Sequence, residues 1–328
     1  MTIEKNCIII SLVKKKVAFV LICITALGLF AAGFFVNKRF SRTQEVKGEQ
    51  ISVNAKELSE REERRLIADN TKKYQPQKTS KTATSGLDIK TKSAIVVDEN
   101  TNEILYQKDP DAKLPPASIT KISTIAVALE NFKKDDLLTI SEKAANQEPN
   151  KIVMKAGEKL KVDDLFYGLM MISANDAARA IAELIPGGFE KFIELMNKEV
   201  KLMGLKNTVF KNPSGLDEPG HISTAFDIST LTRYALLNHP ETVTYAGKKD
   251  DHQVFPTDHN ESHWWGHISG MLFRYPGMVA AKTGYTDEAD STFIGVAERN
   301  GRRLCVVILG STDPNGDIPK LLDWGFAH

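Results

Sequence analysis

Cysteine is scarce in this chain, and an excess of either charge is absent. Its 328 residues include three cysteines, Cys7, Cys23 and Cys305. No pair of them reads as a disulfide framework and none has metal-clip spacing. Lys and Arg number 43 against 42 Asp and Glu, a net charge of +1. That balance gives no bulk field for holding a nucleic acid, so no nucleic-acid partner is expected. With 42% hydrophobic and 26% charged residues, the chain can bury one large core or two small ones.

The longest charge-free apolar run is residues 17–36, preceded by Lys14-Lys15-Lys16. Twenty helical residues match a hydrocarbon core of about 30 Å. A cleavable signal peptide has a shorter apolar region and a small-residue exit. Here Ala31-Ala32-Gly33 leads into further apolar residues, which favours an uncleaved signal anchor. The expected layout is a cytoplasmic segment 1–16, a transmembrane helix 17–36, a polar linker 37–86 and a folded domain 87–328 outside the cytoplasm. Lys38, Arg39 and Arg42 on the far side weaken the charge asymmetry that would fix this orientation. Within the linker, the charged stretch 56–65 reads as a short solvated helix.

From residue 87 the pattern is strands, many helices, then strands. Residues 93–97 and 104–107 flank a polar turn and read as a hairpin. Apolar residues at helical spacing predict helices over 162–172, 176–185, 189–203 and 225–238. Strands return at 278–286, 292–297 and 303–309. The last two meet across Asn300-Gly301, the strongest two-residue hairpin signal, and a helix over 318–326 closes the chain. This order predicts an α+β domain with an antiparallel sheet flanked by a mostly helical subdomain, the first hairpin joining the later strands.

Pro115-Pro116-Ala117-Ser118-Ile119-Thr120-Lys121 begins a run of helix formers. Prolines suit a helix entry, and side chains three residues apart share a face. Ser118 beside Lys121 therefore matches an acyl-transfer nucleophile with its base, provided burial lowers the lysine pKa. A capping serine with a solvated lysine matches it too, and Ser11-Leu12-Val13-Lys14 repeats the pattern. Ser173-Ala174-Asn175 falls at a break between two helices, where side chains two apart can face one cleft; Ser52-Val53-Asn54 repeats that pattern as well. Lys282-Thr283-Gly284 occurs once, on an expected strand. There Lys282 and Gly284 share a face and the glycine admits a substrate backbone.

In this order, and with the flanks Asp176-Ala177-Ala178, Asn212-Pro213-Ser214-Gly215-Leu216-Asp217, His221-Ile222-Ser223-Thr224-Ala225 and Tyr285-Thr286, the chain from about residue 87 resembles the serine penicillin-binding proteins. More closely, it is similar to the low-molecular-mass D-alanyl-D-alanine carboxypeptidases. The resemblance implies a β-lactamase/transpeptidase-like fold and no cofactor or metal. It implies peptidoglycan stem peptides as substrates and β-lactams as covalent inhibitors. Ser118 would attack the penultimate D-alanine carbonyl, Lys121 would take its proton, and Ser173 would pass a proton to the departing D-alanine. Asn175, Lys282, Thr283, Gly284 and Tyr285 would bind substrate, with the N–H groups of Ser118 and Tyr285 as the oxyanion hole and Lys282 and Thr283 facing the terminal carboxylate.

Three departures qualify the resemblance. Relatives place an arginine after the last strand to hold that carboxylate; residues 311–317 here carry acids and no base. His221 and Arg274 are the nearest substitutes to consider. The family's Ala-Gly after Tyr285-Thr286 becomes Ala289-Asp290. The second, β-rich domain and amphipathic tail of many relatives are not in this sequence. A D,D-endopeptidase on cross-links is the alternative activity. A β-lactamase would need a Glu-x-x-x-Asn element where residues 209–214 stand, and a non-catalytic sensor would not need Ser118, Lys121, Ser173 and Lys282 together. His252, His259, His263 and His267 fit no zinc spacing, and Trp264-Trp265 reads as packing.

Overall fold

The computed structural model describes residues 60–328. The expected span 17–36 and most of the expected linker lie outside the described residues. Among the described residues no helix is long and apolar enough to cross a membrane.

A compact unit runs from Leu66 to His328. It begins some twenty residues before the start predicted at 87, and the reason lies in edge chemistry. Helix α1 (residues 60–74) ends on Tyr74, which is buried and donates to Asn238 Oδ1 at 3.2 Å. Strand β1 (Gln77–Ala83, sequence QKTSKTA) then pairs parallel with β3 (Glu103–Lys108). An edge strand takes its hold from main-chain hydrogen bonds, and Lys and Thr protect it from further pairing. A Lys/Thr/Ser segment therefore reads as linker by composition while serving as strand.

The main sheet has the order β1-β3-β2-β10-β9-β8, with β2 (Ser93–Asp98), β8 (Met278–Thr286), β9 (Asp290–Arg299) and β10 (Arg302–Ser311) antiparallel to their neighbours. The first hairpin thus joins the late strands through β2 and β10, as the element order predicts. Period-two alternation divides the apolar side chains between two cores. Ile95, Val97, Cys305, Val307 and Leu309 face the helical subdomain. Ala94, Val96, Leu304, Val306 and Ile308 face the C-terminal helix. Asn300 and Gly301, with φ of 52° and 77°, make the two-residue turn between β9 and β10.

The helical side is built around α2 (Lys121–Asn131), buried from Lys121 through Ala128, as expected of a helix surrounded on all sides. A single turn α3 (Glu142–Ala145) and the short pair β4 (Leu137–Thr139) and β5 (Lys159–Lys161) precede α4 (Val162–Met171), α5 (Asn175–Leu184), α6 (Gly188–Leu202), α7 (Ala225–Asn238) and α8 (Glu241–Gly247). The weakly patterned region 250–270 folds as the hairpin β6 (His252–Val254) and β7 (His263–Trp265) before the one-turn α9 (Gly270–Arg274). Its histidines are dispersed rather than clustered. His252 contacts Asp164 Oδ1 at 2.8 Å, His263 lies 3.3 Å from Glu158 Oε1, and His267 meets the Ala246 carbonyl at 3.0 Å.

The last helix, α10 (Pro314–Ala327), starts four residues before its expected position. Asp313 caps it by accepting from the Gly316 N–H, and Pro314 occupies the first turn. Asp290, standing for the usual glycine, adopts φ 54° and pairs with Lys92 at 2.8 Å. Aspartate tolerates that left-handed region better than most residues.

Candidate active site

Two prolines do lead the chain into a helix, though through an intermediate turn. Ala117 takes φ 48° and residues Ala117–Thr120 form a 3₁₀ turn before α2 starts at Lys121. Ser118 is thereby turned out, partly exposed, while Lys121 enters the core fully buried. A positive φ costs an alanine energy that the surrounding packing must offset. Gly215 supplies part of that packing: a Cβ there would fall 1.8 Å from the Ala117 carbonyl oxygen. Gly284 supplies the rest from β8, since a Cβ would lie 2.8 Å from the Ser118 nitrogen and 2.4 Å from Thr292 Oγ1. Thr292 itself donates to the Pro116 carbonyl at 2.9 Å. Only glycine lets strand and nucleophile turn meet this closely.

The environment of Lys121 favours the neutral amine. Its Nζ lies 2.8 Å from Asn175 Oδ1, 2.6 Å from the Ser214 carbonyl and 2.9 Å from Ser118 Oγ. Asn175 must present its oxygen, because its Nδ2 donates to the carbonyls of Glu148 and Pro149, each at 3.1 Å. Two of the three neighbours are thus obligate acceptors. A neutral amine has two N–H donors and one lone pair. Both donors are taken by Asn175 and Ser214, leaving the lone pair for the Ser118 hydroxyl. Burial pushes the Lys121 pKa well below its ordinary value, and the Lys282 charge adds to that, opposed by buried Asp176.

The second lysine is arranged differently. Lys282, on β8, is buried and donates to Ser173 Oγ at 2.8 Å and to the Thr283 carbonyl at 2.7 Å. Burial brings its pKa down to about 7. Ser173 sits at the break between α4 and α5 with φ 64°, a conformation that aims its hydroxyl at Lys282 instead of continuing the helix. Asp176 braces the facing loop, accepting from the backbone N–H groups of Ile152 and Val153, both at 3.0 Å.

Ser118, Ser173, Asn175, Thr283, Gly284 and Tyr285 line one cleft of about 450 Å³, with Lys121 and Lys282 buried beside it. All eight residues singled out from sequence are therefore brought together. The duplicate patterns at Ser11 and Ser52 lie outside the described residues.

Sequence reasoning overlooked Ser214 and Gly215 as site residues. Their signal was present in Asn212-Pro213-Ser214-Gly215, where Asn212 Oδ1 accepts from the N–H groups of Ser214 and Gly215 at 3.2 and 2.8 Å. That side-chain turn presents the Ser214 carbonyl to Lys121. His221 lies behind the site and does not enter it. Its Nδ1 accepts from the Lys211 N–H at 3.2 Å, so Nε2 carries the proton toward Thr120 Oγ1 at 2.9 Å. Burial lowers its pKa to about 4 and keeps it neutral. The acids of the loop after β10 are consumed locally. Asp313 caps α10, and buried Asp317 accepts from Ser311 Oγ at 2.6 Å and the Lys90 N–H at 2.8 Å.

The comparisons with known proteins agree with this geometry. A family model described as D-alanyl-D-alanine carboxypeptidase matches residues 77–313. The chain is 35% identical over 253 residues to the D-alanyl-D-alanine carboxypeptidase DacF of Bacillus subtilis, covering 75% of this chain and 64% of the relative. A solved D-alanyl-D-alanine carboxypeptidase from Mycobacterium tuberculosis superposes with a TM-score of 0.69 at 30% identity, over 75% of this chain and 94% of that one. The Streptomyces K15 DD-transpeptidase gives 0.70 at 26% identity, over 74% of this chain and 100% of that one. Matched over most of its folded part, with serine, lysine and Lys-Thr-Gly strand meeting at one cleft, the chain belongs to the D-alanyl-D-alanine carboxypeptidase family of serine peptidases.

Proposed function

We propose that this chain is a membrane-tethered serine carboxypeptidase that removes the terminal D-alanine from peptidoglycan stem peptides. The observation that carries the reading is Lys121 Nζ, buried 2.9 Å from Ser118 Oγ, with Asn175 and Ser214 placed to accept both N–H groups of its neutral form.

The reaction follows from the groups present. Ser118 Oγ bonds to the carbonyl carbon of the penultimate D-alanine as its proton passes to Lys121. Negative charge collects on the carbonyl oxygen and is met by the N–H groups of Ser118 and Tyr285, held together by the close approach at Gly284. The C–N bond breaks as Ser173, polarised by Lys282, hands its hydroxyl proton to the departing amine and is reprotonated by Lys121, which returns to the neutral amine. Water then attacks the acyl-enzyme, giving its proton back through Lys121 and releasing the shortened peptide. Thr283 and the Lys282 ammonium face the carboxylate end of the cleft. A β-lactam enters the same path and stops at the acyl-enzyme.

Two measurements test this. Penicillin should add one drug equivalent to the intact chain, mapped to Ser118 and lost in Ser118→Ala; an adduct that persists in the variant overturns the nucleophile. Mass analysis after incubation with a pentapeptide ending in D-Ala-D-Ala and with a cross-linked dimer should show loss of one alanine from the pentapeptide. Cleavage of the dimer alone would make the enzyme an endopeptidase, and ligated products would make it a transpeptidase.

The tether is the span 17–36, supported by its length and lack of charge. Protease added to wall-stripped cells should release a soluble fragment containing residues 66–328. Protection of the domain until the membrane is lysed would reverse the topology.

A further inference from the structure

Among the described residues, the cleft of Ser118 is lined by a single charged side chain, that of Arg274. It comes from α9 and reaches the segment after β10, where relatives would be expected to place their arginine. The side chain folds back over the start of its own helix, so that a Cβ on Gly270 would lie 2.9 Å from Arg274 Nη2. The same Nη2 donates to Asn315 Oδ1 at 2.7 Å. Gly270 and Asn315 both line the cleft with Thr283, so the guanidinium is pinned within its wall by two cleft residues.

Its donors are largely unspent. A guanidinium has five N–H groups, and the Asn315 bond uses one. No carboxylate among the described residues pairs with Arg274. The nearby Asp323 is taken instead by Tyr275 at 2.8 Å and Arg299 at 3.2 Å. An exposed arginine held at a cleft wall by a neutral amide, with no counter-charge of its own, is set up to receive an anion.

We propose that Arg274, positioned by Asn315, binds the C-terminal carboxylate of the substrate together with Thr283. The loop after β10 thus contributes the acceptor that holds an arginine from another element, in place of an arginine of its own. This assignment rests on the carboxypeptidase reading above and adds its specificity determinant: a peptide with a free α-carboxylate.

The experiment compares one acyl-D-Ala-D-Ala peptide with its C-terminal carboxamide, using the full chain and its Arg274→Ala and Arg274→Lys variants. A lost charge-assisted hydrogen bond corresponds to roughly a 10–100-fold change. Arg274→Ala should lower kcat/KM for the acid by about that factor, chiefly through KM, and leave the amide nearly unchanged. Arg274→Lys should recover part of the loss. Adding Thr312→Arg to Arg274→Ala should recover it from the loop side, since Thr312 is exposed and next to the capping residue. If Arg274→Ala leaves the acid-to-amide ratio at the wild-type value, the proposal is overturned. A lowered melting temperature with that ratio unchanged reduces Arg274 to a clamp between α9 and α10. Calorimetric binding of both peptides to Ser118→Ala, with and without Arg274→Ala, gives the same test without turnover. A chain that releases no D-alanine yet loses acid-selective binding in Arg274→Ala would therefore overturn the catalytic reading while leaving the carboxylate site intact.

Discussion

Lys121, Asn175, Ser214 and Thr124 form the inner wall of the cleft. There each donor is matched to a specific acceptor, down to Thr124 Oγ1 on the Pro213 carbonyl at 2.6 Å. At the outer rim Ile268 and Tyr285 stand 49% and 66% exposed, and Arg274 keeps most of its N–H groups open. The difference separates two tasks. A group that must hold a given protonation state has its hydrogen bonds over-determined, because a buried polar atom with a spare valence would set its own pKa. A group that must receive something from solution is held by few bonds and left incomplete.

If that division is right, inner-wall changes should be severe and rim changes mild. Lys121→Ala should have the largest effect, slowing acylation roughly 10²–10⁴-fold with little change in the first binding step. Stopped-flow acylation with a chromogenic cephalosporin separates the two, and a pure affinity loss would move Lys121 from the inner to the outer class. Gly215→Ala comes next: its Cβ must displace the Ala117 carbonyl at φ 84°. A destabilisation of about 1–3 kcal/mol is expected, read as a fall in melting temperature together with slower acylation.

The third effect is graded by pH. Lys282 is needed as a cation, and its pKa in the free chain is about 7. As pH rises through that value the cation is lost, so kcat/KM should fall, approaching tenfold per pH unit. A bound carboxylate favours the charged lysine, so the limb in kcat should lie at higher pH. Coincident limbs would show that Lys282 does not meet the carboxylate. The smallest effects form a pair. Thr292→Val removes the bond to Pro116 from the inner wall and should cost about 1 kcal/mol. Ile268→Ser at the rim should stay within about 0.5 kcal/mol. Equal losses would erase the comparison.

Much of the site was legible because its side chains sit where the chain changes conformation: a proline-led turn for Ser118, a helix break for Ser173, a strand carrying a lone glycine for Lys282. The parts that were not legible are main-chain or long-range. The Ser214 carbonyl has no side-chain signature, and Ala117 gives no hint of a left-handed φ. Arg274 is legible in the sequence only as one substitute beside His221, and the contact with Asn315 that brings it to the cleft is long-range. In the fold, buried strands announce themselves by apolar runs, as in Ser93–Asp98. The edge strand Gln77–Ala83 is stabilised by backbone pairing and stays polar, so composition assigned it to a linker.

Strand β8 is the other end of the sheet, and among the described residues no further strand pairs beyond it. Gly284 of this edge strand and Thr292 of β9 both face the nucleophile turn, so the edge of the sheet runs beside Ser118. A peptide lying there in extended form would repeat every two residues, about 6.6–6.8 Å. With its carboxyl end stopped at Arg274, as proposed, the peptide would occupy only one register. The cleft would then work as a gauge that counts from the end of the chain, the bond that reaches Ser118 being chosen by arithmetic before any side chain is read.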